Sequence, residues 1–441
     1  MQLRVSDGTT IIDLSGGTTG ISGCTYFPLG PSADSATVAE QAELVCKGTT
    51  AANIRTALNS IERLCEAAAR RYATGKGVRV YVEYKPVDGD SLYRSELYGG
   101  RLVYSEDPGA RRFGDTSPAI KVAFVFERAP WWEGPEVELQ LSAQGQSAAT
   151  GGRTITNNGT DNWVQIAAAQ VAGTLPGPVR LRLQNTTGAG KNFREFYIGV
   201  NAFASPSTFG GTRQGEADLT GTGSTASGSA SGGAYRTFSV TTTETLLASW
   251  LLTTAQMSAG GRWCRLLARL VGYDSTKAVR VRPVIRDYYG LVTLWEGQPV
   301  WLPTVGGSYE LVDLGSFPLP PGAYSADYAQ CRLGLKMQAS AATTVSLDYV
   351  QIVPMDGYRH IAQVGMQIAN NDYVEFDEIE GRFTSLESSL RHPIHVATGP
   401  GLFLQPNLLQ QIRVLHDEGF TSPIANTFSA QVWHRPRRST V

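Results

Sequence analysis

Cysteine is scarce in this sequence. The 441 residues include five cysteines, at positions 24, 46, 65, 264 and 331, and no two of them form a Cys-x-x-Cys pair. A scattered, odd number of cysteines in a chain of this length argues against a disulfide framework or a zinc finger. We therefore expect buried free thiols and folding in a reducing compartment.

Long apolar runs and an excess of one charge are also missing. No run approaches the ~18 apolar residues of a membrane span, and the opening residues carry charges where a secretion signal would be apolar. The formal net charge is −1, so no global field draws the chain to nucleic acid. We expect synthesis in the cytoplasm, no membrane segment and no nucleic-acid-binding surface.

Motifs of the common enzyme classes are absent as well. The sequence has no G-x-S-x-G, and Gly190-Lys191 is not followed by the Ser or Thr of a phosphate-binding loop. Glu375 and Asp377 would share one face of a strand about 6.7 Å apart, which a glycosidase could use, but a solvated face or inter-subunit ion pairing is the commoner use of such a pair. We expect no catalytic residue, no cofactor and no metal site.

Glycine and proline, by contrast, are plentiful, with 48 and 22 residues. Frequent glycine and proline residues are typical of a chain with many short strands joined by turns. Residues 51–73 predict the one clear helix, with Thr49 or Thr50 as its cap and Gly75 as its end. Its apolar stripe has a spacing of three and four residues and consists of Ile54, Ala57, Leu58, Ile61, Leu64, Cys65, Ala68 and Tyr72.

Alternation of apolar and polar residues predicts a mainly β fold of three parts. Residues 1–134 indicate an α+β unit with one main helix. Residues 135–205 and 356–441 are each short for a sandwich, so we expect them to form one discontinuous β-sandwich. Residues 206–355 would be a second, jelly-roll sandwich inserted at a loop, and the Gly/Ser/Thr-rich stretch 214–234 predicts a flexible loop or linker.

Aromatic residues are concentrated in the predicted insert. Sugar rings stack on exposed aromatic faces, although aromatics of a sandwich more often fill its core. The candidates considered are Trp250, Trp263, Tyr273, Tyr288, Tyr289, Trp295, Trp301, Tyr309 and Tyr349. We select Asp287, Tyr288, Tyr289 and Trp295 as candidate glycan-binding residues, because Asp-Tyr-Tyr-Gly has the composition of an exposed turn beside a strand.

Several stretches resemble the siphophage distal tail protein family. The strand that runs from Ala119 into Arg128-Ala129-Pro130-Trp131-Trp132 resembles the one that closes the family's N-terminal ring, or belt, domain. Residues 373–377, 399–407 and 432–438 resemble the family's closing half of a galectin-like sandwich, and 235–355 resembles inserted carbohydrate-binding jelly-roll modules.

The resemblance implies a structural protein of the virion tail. Such proteins form a hexameric ring between the tail tube and the hub or tip proteins, and larger members carry a module for host-surface glycans. A helix with one apolar stripe and an arginine-rich remainder can pack on its own sheet and present charge to a neighbour. Arg55, Arg63, Arg70 and Arg71 are therefore the candidate inter-subunit contacts.

Two other function classes stay open at this point. One is a lectin-like host-recognition adhesin or tail fibre protein, which would bind glycan without forming the ring. The other is a glycan-degrading tail enzyme, which would require turnover that depends on Glu375.

Overall fold

The structure is a computed structural model that describes residues 1–30, 36–87, 89–104, 111–112, 118–203, 212–219, 223–252, 262–304, 308–319, 330–387, 390–394, 397–417 and 426–441. It is mainly β, with several antiparallel sheets, as the sequence predicts. The chain forms two compact units. The first, called here the N-terminal unit, comprises Met1–Val137, Ala172–Pro176 and Arg435–Val441; the second comprises Glu138–Val171 and Gly177–His434.

The N-terminal unit is one antiparallel sheet with a helix on it. Its main elements are β1 (Gln2–Ser6), β2 (Ile11–Asp13), β3 (Gly23–Thr25), β4 (Val38–Lys47), α1 (Ala51–Thr74), β5 (Tyr81–Lys85), β6 (Tyr93–Tyr104), β7 (Arg111–Arg112), β8 (Ala119–Arg128) and β9 (Trp132–Glu133). The strand order is β2-β1-β5-β6-β8-β4-β3. The C-terminal segment, which the sequence analysis assigns to the sandwich, instead adds a strand to β9, with Arg437 opposite Glu133.

Helix α1 begins and ends close to the predicted residues. The Thr50 side chain accepts a hydrogen bond from the Asn53 N–H, and Gly75 ends the helix at φ 69°. The apolar stripe faces the sheet and is buried, with one exception. Tyr72 is 60% exposed and stacks on Tyr98 with ring centroids 4.5 Å apart. It lies in the last turn, where the stripe has passed the edge of the buried core.

The second unit begins with strands of the split sandwich, a name used here for the layers formed from residues 138–203 and 357–434. The first group is β10 (Val137–Glu138), β11 (Leu141–Ala143), β12 (Gln146–Ala149), β13 (Arg153–Thr156), β14 (Trp163–Ile166), β15 (Gly177–Asn185) and β16 (Lys191–Phe203).

The inserted sandwich follows, a name used here for residues 212–354. Its strands are β17 (Thr212–Gln214), β18 (Thr225–Ala226), β19 (Ala234–Val240), β20 (Thr245–Leu252), β21 (Arg262–Tyr273), β22 (Val279–Arg286), β23 (Thr293–Glu296), β24 (Val300–Trp301), β25 (Ser308–Leu319), β26 (Cys331–Ala339) and β27 (Thr343–Pro354). One sheet has the order β19-β27-β21-β25 and the other β20-β26-β22-β23. Apart from β22, β23 and β24, which share one sheet, successive strands from β19 to β27 cross between the sheets, as in a jelly roll.

The split sandwich is completed after the insert. The remaining strands are β28 (Gly357–Ile368), β29 (Tyr373–Asp377), β30 (Arg382–Glu387), β31 (Leu390–Pro393), β32 (Ala397–Gly401), β33 (Phe403–Leu404), β34 (Leu409–Asp417), β35 (Thr427–His434) and β36 (Arg437–Arg438). Its two sheets have the orders β35-β15-β29-β30-β31 and β12-β11-β14-β34-β16-β28-β32. Strands from before and after the insert are therefore hydrogen-bonded neighbours in both sheets.

Each sandwich has its own hydrophobic core. In the split sandwich, Phe196 of one sheet contacts Phe376 of the other at 6.0 Å between ring centroids. In the inserted sandwich, Trp250 and Leu333 of one sheet pack against Leu266 of the other. Two sheets that each bury one face in this way need period-two alternation, which is the pattern that predicts them.

The Gly/Ser/Thr-rich stretch is more ordered than predicted. Within its described residues, Ser231 is buried, and its N–H donates to the Asp348 carboxylate at 3.1 Å. The Gln214 amide donates to the Ser231 hydroxyl at 3.2 Å, and the Gln214 carbonyl accepts from the Trp250 indole at 2.8 Å. The small residues of this stretch allow it to pack closely on β27. Its low-complexity composition therefore does not make it a flexible linker.

The two sandwiches of the second unit contact each other through a small apolar cluster. Its buried members are Tyr197, Leu267, Tyr349, Val353, Tyr358 and Leu415. Strands β16 and β28, which precede and follow the insert, are neighbours in the split sandwich, with Val200 opposite Gly357. The insert therefore leaves and re-enters at adjacent positions of one sheet.

Candidate functional site

Asp287 shapes the turn between β22 and β23. Its carboxylate oxygen Oδ1 accepts hydrogen bonds from the N–H groups of Leu291, at 2.6 Å, and Val292, at 3.0 Å. The hydrogen bond from Val292 is the largest cause of a lowered pKa for Asp287. Gly290 follows at φ 72°, a conformation that favours glycine. The side chain therefore acts first as a turn former.

The tip of this hairpin presents both predicted tyrosines to solvent. Tyr288 is 40% exposed and Tyr289 63% exposed, and their rings meet edge to face with centroids 5.1 Å apart. Leu291, Val292 and Leu294 beside them are exposed as well. The tip is an aromatic and apolar projection, as the sequence suggests for an exposed turn.

Trp295 lies on the other side of its strand. It pairs with Ile285, which belongs to the core of the inserted sandwich, and its half-buried ring packs towards Phe317 at 6.4 Å. Alternation along β23 turns Glu296 outwards instead. Trp295 therefore does not join the two tyrosines, and packing is the main use of its ring.

A cleft at the opposite end of β22 brings together residues that the sequence analysis did not select. It has a volume of about 220 Å³ and is lined by Ala278, Arg280, Trp301, Gln338, Ala339 and Ser340. Arg280 lies opposite Trp301 on β24 and opposite Gln338 on β26, so the three side chains form one row across three strands. The Trp301 ring is 58% exposed.

The polar atoms of this row include some that the protein itself does not use. The Gln338 amide nitrogen donates to the Thr242 carbonyl at 2.6 Å, which orients the amide. In the described part of the chain, neither the Gln338 Oε1 atom nor the Arg280 Nε atom has a hydrogen-bond partner. The Arg280 guanidinium lies 6.0 Å from the Trp301 ring centroid. An aromatic plane, a cation and an amide thus line one small cleft.

The signal for this cleft is present in the sequence. Val279-Arg280-Val281-Arg282 alternates, so both arginines point away from the core. Trp301 was among the aromatics considered, but its register with Arg280 depends on pairing between strands that are about 20 residues apart in the chain. Spacing alone does not reveal such a pairing.

The acidic residues of β29 are paired within the chain. Glu375 is buried and accepts hydrogen bonds from Arg182 Nε at 2.9 Å and Nη2 at 2.7 Å, while Arg180 approaches the same oxygen at 3.4 Å. Asp377 accepts from the Glu380 N–H at 2.9 Å. The sequence favours a solvated face or inter-subunit ion pairing for these acids. The ion pair between Glu375 and Arg182 instead joins neighbouring strands of one sheet.

The arginines of α1 divide into two groups. Arg55, Arg63 and Arg70 are exposed on the side of the helix away from the sheet. Arg71 is half-buried, and its guanidinium donates to the Gly75 carbonyl, where it satisfies the C-terminal end of the helix. Arg71 therefore has a role within its own chain, and an inter-subunit role for all four arginines stays a prediction.

The described residues contain neither a cluster of metal ligands nor a membrane-spanning helix. No three His, Cys, Asp or Glu side chains among them come together as a metal site requires. His392 lies in β31, and His395, three residues further along the chain, lies outside the described residues. Within the same part of the chain, no helix has the length and apolar character needed to cross a membrane.

Comparisons with known proteins add little. No family model matches the chain, and no curated protein matches it. One structure of infectious bursal disease virus, Gt strain, is 8% identical over 68% of this chain and 82% of that chain, with a TM-score of 0.13. The dimeric latent PorU of Porphyromonas gingivalis is 13% identical over 79% of this chain and 27% of that chain, also with a TM-score of 0.13. Scores this low support no conclusion about fold or function.

Proposed function

We propose that this protein is a non-enzymatic structural component of a phage tail tip that also binds a host-surface glycan. The glycan-binding part is carried by one observation, the cleft in which Trp301, Arg280 and Gln338 lie side by side. The ring-forming part comes from the resemblance of the sequence to distal tail proteins. Under this proposal the chain acts as a homo-hexamer in the virion tail, between tail tube and hub proteins.

The cleft suits a saccharide for chemical reasons. A sugar ring has an apolar face that stacks on an exposed indole and hydroxyl groups that need fixed donors and acceptors. Trp301 supplies the indole. Arg280 supplies hydrogen-bond donors. The cleft is shallow and small, which fits one or two sugar units of a longer chain better than an enclosed metabolite.

The ring requires a surface that is not used within the subunit. The helix α1 buries its apolar stripe and leaves Arg55, Arg63 and Arg70 exposed. A heterologous contact between such a surface and a different surface of the next copy, repeated by rotation, closes a ring. Arginine suits this role because its planar guanidinium makes bidentate contacts with carboxylates.

Glycan binding is tested with a matched pair of tryptophan variants. Trp301 and Trp263 are exposed to 58% and 57%, but Trp263 lies on β21 of the other sheet. On an array of bacterial surface polysaccharides we expect Trp301→Ala to lower the affinity at least tenfold and Trp263→Ala to leave it within twofold. Absence of binding by the unaltered protein, or an equal loss in both variants, would remove the support for this site.

Ring formation is tested separately by mass photometry and negative-stain imaging of the purified chain. We expect hexamers, and we expect the triple variant Arg55→Glu, Arg63→Glu, Arg70→Glu to dissociate them. The triple Arg→Lys variant is the control, because it keeps the charge on the same helix face. A monomer of the unaltered chain at micromolar concentration would contradict the proposal.

A further inference from the structure

The outward face of the inserted sheet β20-β26-β22-β23 is strongly basic. The residues of β22 and β26 that alternate with these outward positions belong to the core, so the remaining ones point to solvent. Five basic side chains share this outward face, namely Arg280, Arg282, Arg286, Arg332 and Lys336. They are called the basic track below.

Like charges lie directly opposite each other along the track. Arg282 pairs across the strands with Lys336, and Arg286 pairs with Arg332. Like charges in directly opposite positions destabilise a sheet. Glu296 offsets this repulsion between Arg282 and Lys336, so the cost falls mainly on the pair Arg286 and Arg332.

Two of the acidic partners lie around Arg280, Arg282 and Lys336. Glu244 lies 3.6 Å from Arg280 and 3.3 Å from Arg282. Glu296 lies 3.6 Å from Arg282 and forms an ion pair with Lys336.

At the other end, the hydrogen bonds of the two remaining arginines go to backbone carbonyls. Among the described residues, Arg286 donates to Leu291 at 3.3 Å and Arg332 donates to Tyr288 at 2.7 Å. Asp287 also lies at this end and interacts electrostatically with Arg286. Among the described residues, five basic side chains therefore face three acidic ones, and the track keeps an excess of positive charge.

The track has the dimensions of a binding site for a chain molecule. From Arg280 to Arg286 a strand advances about 20 Å, at ~3.3 Å per residue. Exposed aromatic rings mark its two ends, Trp301 at one and Tyr288 with Tyr289 at the other. A linear ligand along β22 would therefore meet aromatic surface, then a row of cations, then aromatic surface again.

We propose that the ligand of the inserted sandwich is an anionic polysaccharide, with carboxylate or phosphate groups along its length, that lies on the basic track. This inference rests on the proposed glycan-binding function and specifies its ligand class. Guanidinium groups bind carboxylate and phosphate bidentately, which gives them an advantage over neutral donors. A single-stranded nucleic acid fits less well, because its bases need aromatic platforms along the whole path.

The experiment compares ligands that differ only in charge. Binding of the full-length protein to polygalacturonate and to its methyl ester is measured by isothermal titration calorimetry at 50 and 300 mM salt. Dextran phosphate and unmodified dextran form the second pair and distinguish phosphate from carboxylate. We expect the charged member of at least one pair to bind at least tenfold more tightly than its neutral counterpart, and to weaken at high salt.

Variants then locate the binding. Arg286→Gln with Arg332→Gln removes two charges from the end of the track where the positive excess lies and should weaken binding of the charged polymer at least tenfold. Arg382→Gln with Arg391→Gln removes two charges from exposed positions of the split sandwich and should change it less than twofold.

The outcomes separate the two proposals. Equal binding of charged and neutral polymers that is lost in Trp301→Ala would overturn the anionic ligand and keep the glycan site. Equal or tighter binding of an oligothymidylate would show a general polyanion site and also overturn the inference. If no polysaccharide binds, the glycan-binding function fails as well.

Discussion

At the scale of single residues, the N-terminal unit is organised around one buried ion pair. Arg128 and Glu40 are almost fully buried, and their bidentate contacts measure 2.9 and 2.7 Å. The remaining Arg128 donors reach the carbonyls of Ala129 and Leu29, and Tyr26 donates to Glu40. A buried pair whose hydrogen bonds are satisfied in this way costs little, but either partner alone would be left as an uncompensated charge.

We expect Arg128→Met to lower the free energy of unfolding of the N-terminal unit by about 3–5 kcal/mol. Glu40 would then be buried without its partner, which is the cause of the loss. The half-exposed pair Arg79–Glu96, at 3.9 Å, provides the control, and Arg79→Met should cost less than about 1 kcal/mol. Chemical denaturation followed by fluorescence measures both; similar losses would contradict the account.

A second buried charge makes the inserted sandwich sensitive to pH. Asp348 occupies the extra position of a β-bulge in β27, between the pairs that join Tyr349 to Arg269 and Leu347 to Leu270. Burial raises the pKa of Asp348 to about 7, even though Arg269, 3.7 Å away, favours the carboxylate. Glu216 adds to the increase.

Because this pKa is raised above the value of ~3.9 in an unfolded chain, the stabilising contribution of Asp348 is present below about pH 4. It is lost as the pH rises towards 7. The variant Asp348→Asn removes the titration and keeps an acceptor for the Ser231 N–H. Relative to the unaltered protein, we expect its stability to rise by roughly 2 kcal/mol between pH 5 and pH 8.

Thermal unfolding of both proteins across that range measures this difference. Asp274→Asn is the control, since hydrogen bonds from Thr276 lower the pKa of that exposed carboxylate. It is ionised in the folded and unfolded chain throughout pH 5 to 8, so the difference for this variant should not change with pH in that range. A pH-independent difference for Asp348→Asn would show that the carboxylate is ionised throughout.

At the scale of elements, close contact between α1 and the sheet depends on a glycine. A Cβ atom at Gly100 would lie 2.9 Å from the Phe124 ring and 3.0 Å from the Cys65 sulfur. Both are core atoms of the N-terminal unit, and neither belongs to a flexible side-chain end. The helix approaches β6 as closely as it does because this position has no side chain.

We therefore expect Gly100→Ala to destabilise the N-terminal unit by about 1–3 kcal/mol, the usual cost of extra volume in a packed core. Gly23→Ala in β3 is the matched control, because a Cβ atom there would meet nothing within 4 Å. Its effect should lie within about 0.5 kcal/mol. Equal effects of the two substitutions would mean that the helix can shift away from the sheet without cost.

At the scale of the whole molecule, the insert is placed so that the split sandwich can close without it. Strands β16 and β28 pair through nine residue positions, from Lys191 opposite Ile368 to Val200 opposite Gly357. A short turn between Phe203 and Gly357 would make them a hairpin. Within the residues that the structure describes, the core of the split sandwich takes none from the inserted sandwich.

We expect replacement of residues 204–356 by Asn-Gly to give a folded protein that assembles as the full chain does but no longer binds glycan. Tyr197 and Leu415, which pack against the insert, become exposed and should be changed to Thr in the same variant. Circular dichroism and mass photometry check fold and assembly. Aggregation of this variant would show that the split sandwich needs its insert to fold.

Local sequence patterns predict much of the fold. The stripe and caps of α1, the alternation of Val279 to Ile285 and the turn at Asp287 depend on neighbours in the chain, so the sequence alone predicts them. The residues of the candidate sites were harder to predict from the sequence. Trp295 and Trp301 have similar local surroundings, and only the pairing of β22 with β23 and β24 decides which of them faces the core.

The sequence by itself therefore determined the β-rich class and the single predicted helix. The tertiary structure decided which cations form a row, which aromatics stay exposed, and that Glu375 is paired within the chain. The physical reason is the distance along the chain over which each kind of interaction acts. Helical and strand periodicity act over a few residues, whereas a surface site depends on the register between distant strands, where a shift of one residue moves every side chain to the opposite face.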